Sequence, residues 1–154
     1  MLNVGDALPD TEILLTGGQR TSLSTYAGKP LVLYFYPKAS TPGCTREGLG
    51  FTAAQADFDA LGCTILGASR DSLQAQEKFK AKQGFSFDLI ADSDETLCQA
   101  MGVMVQKMLF GKLSLGIERS TFLFAADSRL HQVWRKVRVP GHVDQVLAAT
   151  KALV

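Results

Sequence analysis

The longest uninterrupted apolar run in the chain is Leu31-Val32-Leu33-Tyr34-Phe35-Tyr36. Alternation would mark a half-exposed strand. A run apolar on both faces, bounded by Lys29-Pro30 and Pro37, marks a central strand covered by helices on both sides. Before it, Thr11 to Leu15 and Thr21 to Leu23 flank Thr16-Gly17-Gly18-Gln19, the pattern of an N-terminal β-hairpin with a glycine turn. After it, the loop from Pro37 ends in helix-start chemistry. Thr41 can cap, Pro42 suits the first helical position, and Glu47 falls in the first or second turn. Leu49, Ala53, Ala56 and Ala60 recur at helical spacing and predict an amphipathic helix to about Leu61, stopped by Gly62.

Thr64 to Ala68 predicts a second central strand. Asp71 and Ser72 open a helix that Gly84 closes. Phe87 to Ala91 predicts a third strand and Asp94 to Met101 a short helix ended by Gly102. Val103 to Gly116 shows no regular pattern. Ser120 to Ala125 and Leu130 to Val137 predict two strands joined by a turn at Ala126-Asp127-Ser128, and a helix from His142 to Leu153 follows Pro140-Gly141. No repeat, low-complexity tract or linker interrupts the order, so residues 1–154 read as one domain. A βαβ core followed by a β-hairpin and a helix predicts a thioredoxin-like, three-layer α/β fold, with a central mixed sheet flanked by helices.

Composition narrows the function. A net charge of +1 offers no field for nucleic acid. The densest basic cluster, Arg135, Lys136 and Arg138, reads as the solvated side of a strand. No apolar run reaches the length of a membrane span, and Met1 to Asp10 lacks the basic and apolar regions of a secretory signal. A cytoplasmic location, where thiols stay reduced, is expected. The three cysteines, Cys44, Cys63 and Cys98, form no C-x-x-C pair. That argues against a disulfide scaffold and a zinc site. His131 and His142 read as lone surface or loop histidines, and no metal or other cofactor is expected.

Cys44 stands where a buried strand has ended and a helix begins. The thiolate is the reactive form of cysteine, and a helix N-terminus, with its unpaired N–H donors and positive dipole end, favours an anion. A partly exposed nucleophile is one reading. A buried cysteine behaving as a small apolar residue is the other.

The joint pattern decides between them. Pro37-x-x-x-Thr41-x-x-Cys44 matches the peroxiredoxin signature. The longer string Tyr34-Phe35-Tyr36-Pro37-Lys38, then Thr41-Pro42-Gly43-Cys44-Thr45-x-Glu47, resembles the peroxiredoxin Q, or bacterioferritin comigratory protein, subgroup. The resemblance spans nearly the whole chain, including Gly67 to Asp71 and Gly116-Ile117-Glu118-Arg119-Ser120-Thr121-Phe122. It implies a peroxidase in which Cys44 attacks the terminal peroxide oxygen and becomes a sulfenic acid. By the same resemblance Thr41 offers its hydroxyl, and Arg119 holds thiolate and peroxide together and stabilises the leaving oxygen. The N–H groups of Gly43 and Cys44 complete the donor set, Pro37 shields the thiolate, and Glu47 orients Arg119.

One departure matters. The positions where relatives carry a resolving cysteine hold Leu49 and Lys80 here. Cys63 should lie at the far end of a helix about 24 Å long. Cys98 reads as a core residue, with a role as an atypical resolving thiol the alternative. A one-cysteine mechanism is therefore expected, with an external thiol (thioredoxin, glutaredoxin or glutathione) as reductant. The apolar residues Met104, Val105, Met108, Leu109 and Phe110 either line a peroxide entrance or subunit contact, or fill the core edge. The resemblance implies a monomer, with a weak dimer the alternative. Two other functions compete. A thiol–disulfide oxidoreductase lacks its second active-site cysteine, and a non-catalytic thioredoxin-like binding module leaves the Thr41, Cys44 and Arg119 set unexplained.

Overall fold

The computed structural model describes residues 2–154. Strands β1 (Glu12–Leu14) and β2 (Arg20–Ser22) form the expected antiparallel hairpin, and Gly17 and Gly18 turn it at φ +91° and +81°. Leu23, expected in the second arm, instead begins a 3₁₀ turn, Leu23–Tyr26, capped by the Ser22 hydroxyl. Strand β3 (Leu31–Phe35) is buried at every position. Then follow α1 (Pro42–Ala53), α2 (Gln55–Ala60), β4 (Thr64–Ser69), α3 (Leu73–Gln83), β5 (Leu89–Ala91) and α4 (Thr96–Ala100). Strands β6 (Met104–Leu109), β7 (Lys112–Ile117), β8 (Ser120–Phe124) and β9 (Leu130–Trp134) precede α5 (His142–Leu153).

The central sheet has the order β5-β4-β3-β8-β9. β4 lies parallel to β3 and to β5, whereas β8 is antiparallel to β3 and to β9. Alternation along β3 divides the core into two clusters. Leu31, Leu33 and Phe35 join the cluster with Ile13, Leu97, Cys98 and Phe122. Val32, Tyr34 and Tyr36 join the cluster with Cys44, Phe51, Phe58, Phe79 and Val146. Helices α1, α2, α3 and α5 thus cover one face, and α4 with the N-terminal hairpin covers the other. This is the three-layer, thioredoxin-like fold the sequence predicts.

The helix after Cys44 differs from expectation. It breaks at Ala54, and its inward side carries Cys44, Glu47, Gly48 and Phe51, continued by Phe58 of α2. Leu49, Ala53, Ala56 and Ala60 face outward, with Leu49 41% exposed. The inward stripe looked polar because it holds a carboxyl and a glycine. Gly48 sits under the Phe85 ring, where a Cβ would lie 2.4 Å from Cζ.

Val103 to Gly116, which showed no pattern, is the β6–β7 hairpin. Only its base is packed, with Met104 half-buried against the core and Ile117 buried. Met108 and Phe110 are exposed, so they do not fill the core edge; the side chain of Leu109 lies outside the described ones. A ribbon with little burial on either face has no periodicity to betray it.

Two basic and histidine readings also change. Arg135 is half-buried, over the Phe122 ring at 5.4 Å, and donates to the Gly102 carbonyl. His142 is buried rather than a loop residue, and its Nε2 lies 2.8 Å from Thr121 Oγ1. No described helix is long and apolar enough to cross a membrane.

Candidate active site

β3 ends beside β4, where Tyr36 N–H donates to the Ala68 carbonyl, and the chain leaves the sheet at Pro37. The loop that follows is held from below. Asp71 accepts from Ala39 N–H at 2.8 Å and from the Ser69 hydroxyl. Ser40 is left-handed, at φ +64°, a conformation that non-glycine residues adopt only where their surroundings enforce it. Beneath, the buried Gln76 amide accepts from the Tyr36 hydroxyl and donates to Ser69 Oγ and the Ile90 carbonyl.

Thr41 occupies the N-cap position with extended backbone, and Pro42 takes the first helical place, as expected. The Thr41 side chain, however, does not cap. Its hydroxyl donates to the Lys38 carbonyl at 2.7 Å, which leaves its lone pairs directed elsewhere. The first helical bond runs from Thr45 N–H to the Thr41 carbonyl, so the Gly43 and Cys44 N–H groups have no acceptor within the helix.

Cys44 is 1% exposed, not partly exposed as the sequence suggested. Across from it comes Arg119, just before β8. Its Nη2 donates to Cys44 Sγ at 3.4 Å and its Nη1 to Glu47 Oε1 at 2.7 Å. One planar fork thus serves two partners on α1 that are three residues apart, on the same side of the helix. Gly43 makes the approach feasible, since a Cβ there would lie 3.2 Å from Nη2. Glu47 is fully buried, and its Oε2 has no hydrogen-bond partner among the described residues. Burial raises its carboxyl to about 7, against the pull of Arg119. Burial alone would lower Arg119, but Glu47 and Cys44 outweigh it and hold the guanidinium above its ordinary value. Pro37 is half-buried at the start of the same loop.

The structure therefore brings Thr41, Gly43, Cys44, Glu47 and Arg119 together and leaves the other two thiols apart. Cys63 precedes Thr64, which pairs with Leu31 at the opposite end of β3 from the Pro37 loop. Burial pushes its thiol up to about 12. Cys98 lies in α4, in the core cluster across the sheet from Cys44. Burial, then Asp92, raises its thiol further. Lys80, at a usual resolving position, pairs with Asp88 at 2.7 Å, and Leu49 points outward. Asp71 and Gln76, which hold the loop, were not read as site residues from sequence; Asp71 was read as part of the start of α3, where Ser72 is the cap, and lay inside the stretch Gly67 to Asp71 that carried the resemblance.

A thiol at a helix start, a guanidinium bridging it to a buried carboxylate, and a thioredoxin-like sheet define a thiol-peroxidase type of site. The AhpC/TSA sequence profile matches residues 4–133, and the chain belongs to that family. Over 152 residues it is 53% identical to peroxiredoxin Bcp of Xanthomonas campestris, covering 99% of this chain and 95% of that one. A solved structure of the Xanthomonas campestris bacterioferritin comigratory protein superposes with TM-score 0.91 at 52% identity, covering 99% of this chain and 97% of that one. A peroxiredoxin Q structure from Xylella fastidiosa gives TM-score 0.94 at 44% identity, covering 99% and 97%. Within the family, the likeness is to the peroxiredoxin Q, or Bcp, group that the motif around Cys44 implied.

Proposed function

We propose that this peroxiredoxin reduces hydroperoxides at Cys44 by a one-cysteine mechanism, with residues 1–154 acting as one domain. The observation that carries the reading is the Arg119 fork, 3.4 Å from the sulfur and 2.7 Å from Glu47. The Cys44 thiolate attacks the terminal oxygen of the peroxide. The S–O bond forms as the O–O bond breaks, and the leaving alkoxide or hydroxide takes a proton to become alcohol or water. Arg119, with the free N–H groups of Gly43 and Cys44, stabilises the charge that moves onto the leaving oxygen. Thr41, its own proton given to Lys38, accepts the hydrogen of the peroxide O–H. Pro37 limits the approach of bulk water, and Glu47 fixes the plane of the guanidinium.

Cys44 sulfenic acid then condenses with an external thiol, releasing water and forming a mixed disulfide. A second thiol reduces that disulfide. Thioredoxin, glutaredoxin and glutathione all supply this chemistry, and the need for reduced thiols suits the cytoplasm. The similar Xanthomonas campestris protein is described for its alkyl peroxide reduction activity, and organic hydroperoxides are proposed as substrates here beside hydrogen peroxide.

The test is intact mass spectrometry of reduced protein after one equivalent of peroxide, at low protein concentration. A gain of one oxygen that dimedone traps on Cys44, with no activity in Cys44→Ser, is the expected result. A loss of two hydrogens in protein whose circular dichroism and activity stay native throughout, with a Cys44–Cys98 or Cys44–Cys63 peptide on digestion, would replace the one-cysteine mechanism with a two-cysteine one.

A further inference from the structure

The hairpin of β6 and β7 sends one charged side chain back toward the active site. Lys107 pairs with Ser114 and Val105 with Gly116, so these four share one face of the ribbon, opposite the face of Met108 and Leu113. The Lys107 stem runs over Gly116, where a Cβ would lie 3.1 Å from Cδ and 3.5 Å from Cε. Its ammonium donates to the Ile117 carbonyl, two residues before Arg119, and the side chain is half-buried.

The Ile117–Arg119 stretch carries the guanidinium and is otherwise held by backbone and a hydroxyl. Glu118 N–H donates to the Val103 carbonyl at 2.8 Å, Val137 N–H to the Arg119 carbonyl at 3.0 Å, and Ser120 Oγ to the Glu118 carbonyl at 2.9 Å. Lys107 adds a cation to that set. The charged groups that act on it are Arg119 and Arg70, which oppose its charge, and Glu118 and Cys44, which favour it, with burial opposing most. Two like charges in a half-buried place are unfavourable unless an anion is shared between them. Glu118 and Cys44 are the groups of opposite sign beside Lys107.

We propose that Lys107 is a positioning residue for peroxide reduction: through the Ile117 carbonyl it pins the segment that bears Arg119, and so holds the guanidinium against Cys44. The inference rests on Cys44 and Arg119 being the reacting pair. It is tested by the single-turnover rate of the reduced protein with hydrogen peroxide, beside thermal melts, in Lys107→Met, Lys107→Gln and Lys107→Arg. The neutral variants should melt as the parent does yet react roughly tenfold more slowly, because the fork is no longer held on the sulfur. Lys107→Arg, which can still donate to the Ile117 carbonyl, should restore the parent rate. A purely structural role predicts a rate loss that follows a lowered melting temperature, with no rescue by arginine. That result, or a parent-like rate in a folded neutral variant, overturns the proposal. If Cys44→Ser itself retains turnover, the reacting pair is wrong, and the fault lies there rather than with Lys107.

Discussion

Gly43 faces the Arg119 guanidinium so closely that a methyl group there would lie 3.2 Å from Nη2 and 3.9 Å from Cζ. Gly43 does not have positive φ, so the site requires its small size and not its backbone freedom. Alanine is the better helix former by about 1 kcal/mol. Gly43→Ala should therefore melt at the same temperature or higher, yet react with peroxide roughly tenfold more slowly because the fork is pushed off the sulfur. Thermal melts beside stopped-flow rates check this. A stable variant with the parent's rate would mean that the guanidinium yields without loss.

Arg119 serves Cys44 and Glu47 with different nitrogens of one plane. Arg119→Ala should slow the attack on peroxide by two or more orders of magnitude, about 3 kcal/mol, by analogy with the loss of an oxyanion-hole donor. Arg119→Lys keeps the charge but has one nitrogen for two partners, so its rate should lie nearer to alanine than to arginine. Unchanged circular dichroism separates this from unfolding, and a lysine variant with full activity would reduce the role of Arg119 to charge alone.

Glu47 makes the site sensitive to pH in a definite direction. Burial lifts its carboxyl from the ordinary 4.5 to about 7 in the folded chain, so folding favours the protonated form. The stability tied to this group is complete below about 4.5 and is lost as pH rises through 7. Glu47→Gln, neutral throughout, should gain stability relative to the parent between pH 5 and pH 8 while reacting more slowly at pH 8, where the parent holds Arg119 with a full charge. Urea unfolding at both pH values and peroxide rates at pH 8 check it. A stability difference that does not change with pH would show that the buried carboxyl does not titrate in this range.

The features most legible in the sequence were those set by local chemistry. The buried strand Leu31–Phe35, the Ser72 cap and Gly84 stop of α3, and α5 follow from runs and end signals that act within a few residues. The site was legible because Pro37, Thr41 and Cys44 share one loop, and Arg119 entered through the resemblance, since no local rule ties it to a residue 75 positions away. What escaped depended on contacts across the sheet or hairpin. Glu47 and Gly48 point inward because Arg119 and Phe85 meet them there, and this reversed the expected face of α1. His142 was misread because its partner, Thr121, comes from a strand that the chain order does not place beside it.

That histidine yields a second pH dependence, opposite in sign. Burial, with Arg119 nearby, lowers His142 from the ordinary 6.5 to about 4. The stability from keeping it neutral is present above about 6.5 and is lost as pH falls toward 4. His142→Gln, which can still meet the Thr121 hydroxyl, should flatten the acid limb of the stability curve. Chemical denaturation at pH 7.5 and pH 5 measures this. An equal difference between parent and variant at both values would mean that the imidazole does not remain neutral on acidification.

The two core clusters place Cys44 and Cys98 on opposite sides of a continuous five-stranded sheet. A disulfide needs Cα atoms within roughly 7 Å, and hydrogen-bonded strands stand between the two clusters that hold these thiols. A bond between these two cysteines would have to form while the sheet is open. It would be a scar of denaturation, sealed in by oxidation and blocking return to the native fold. Its presence in a protein sample would report that the chain had once come apart, and its absence after peroxide treatment would report that the wall had held.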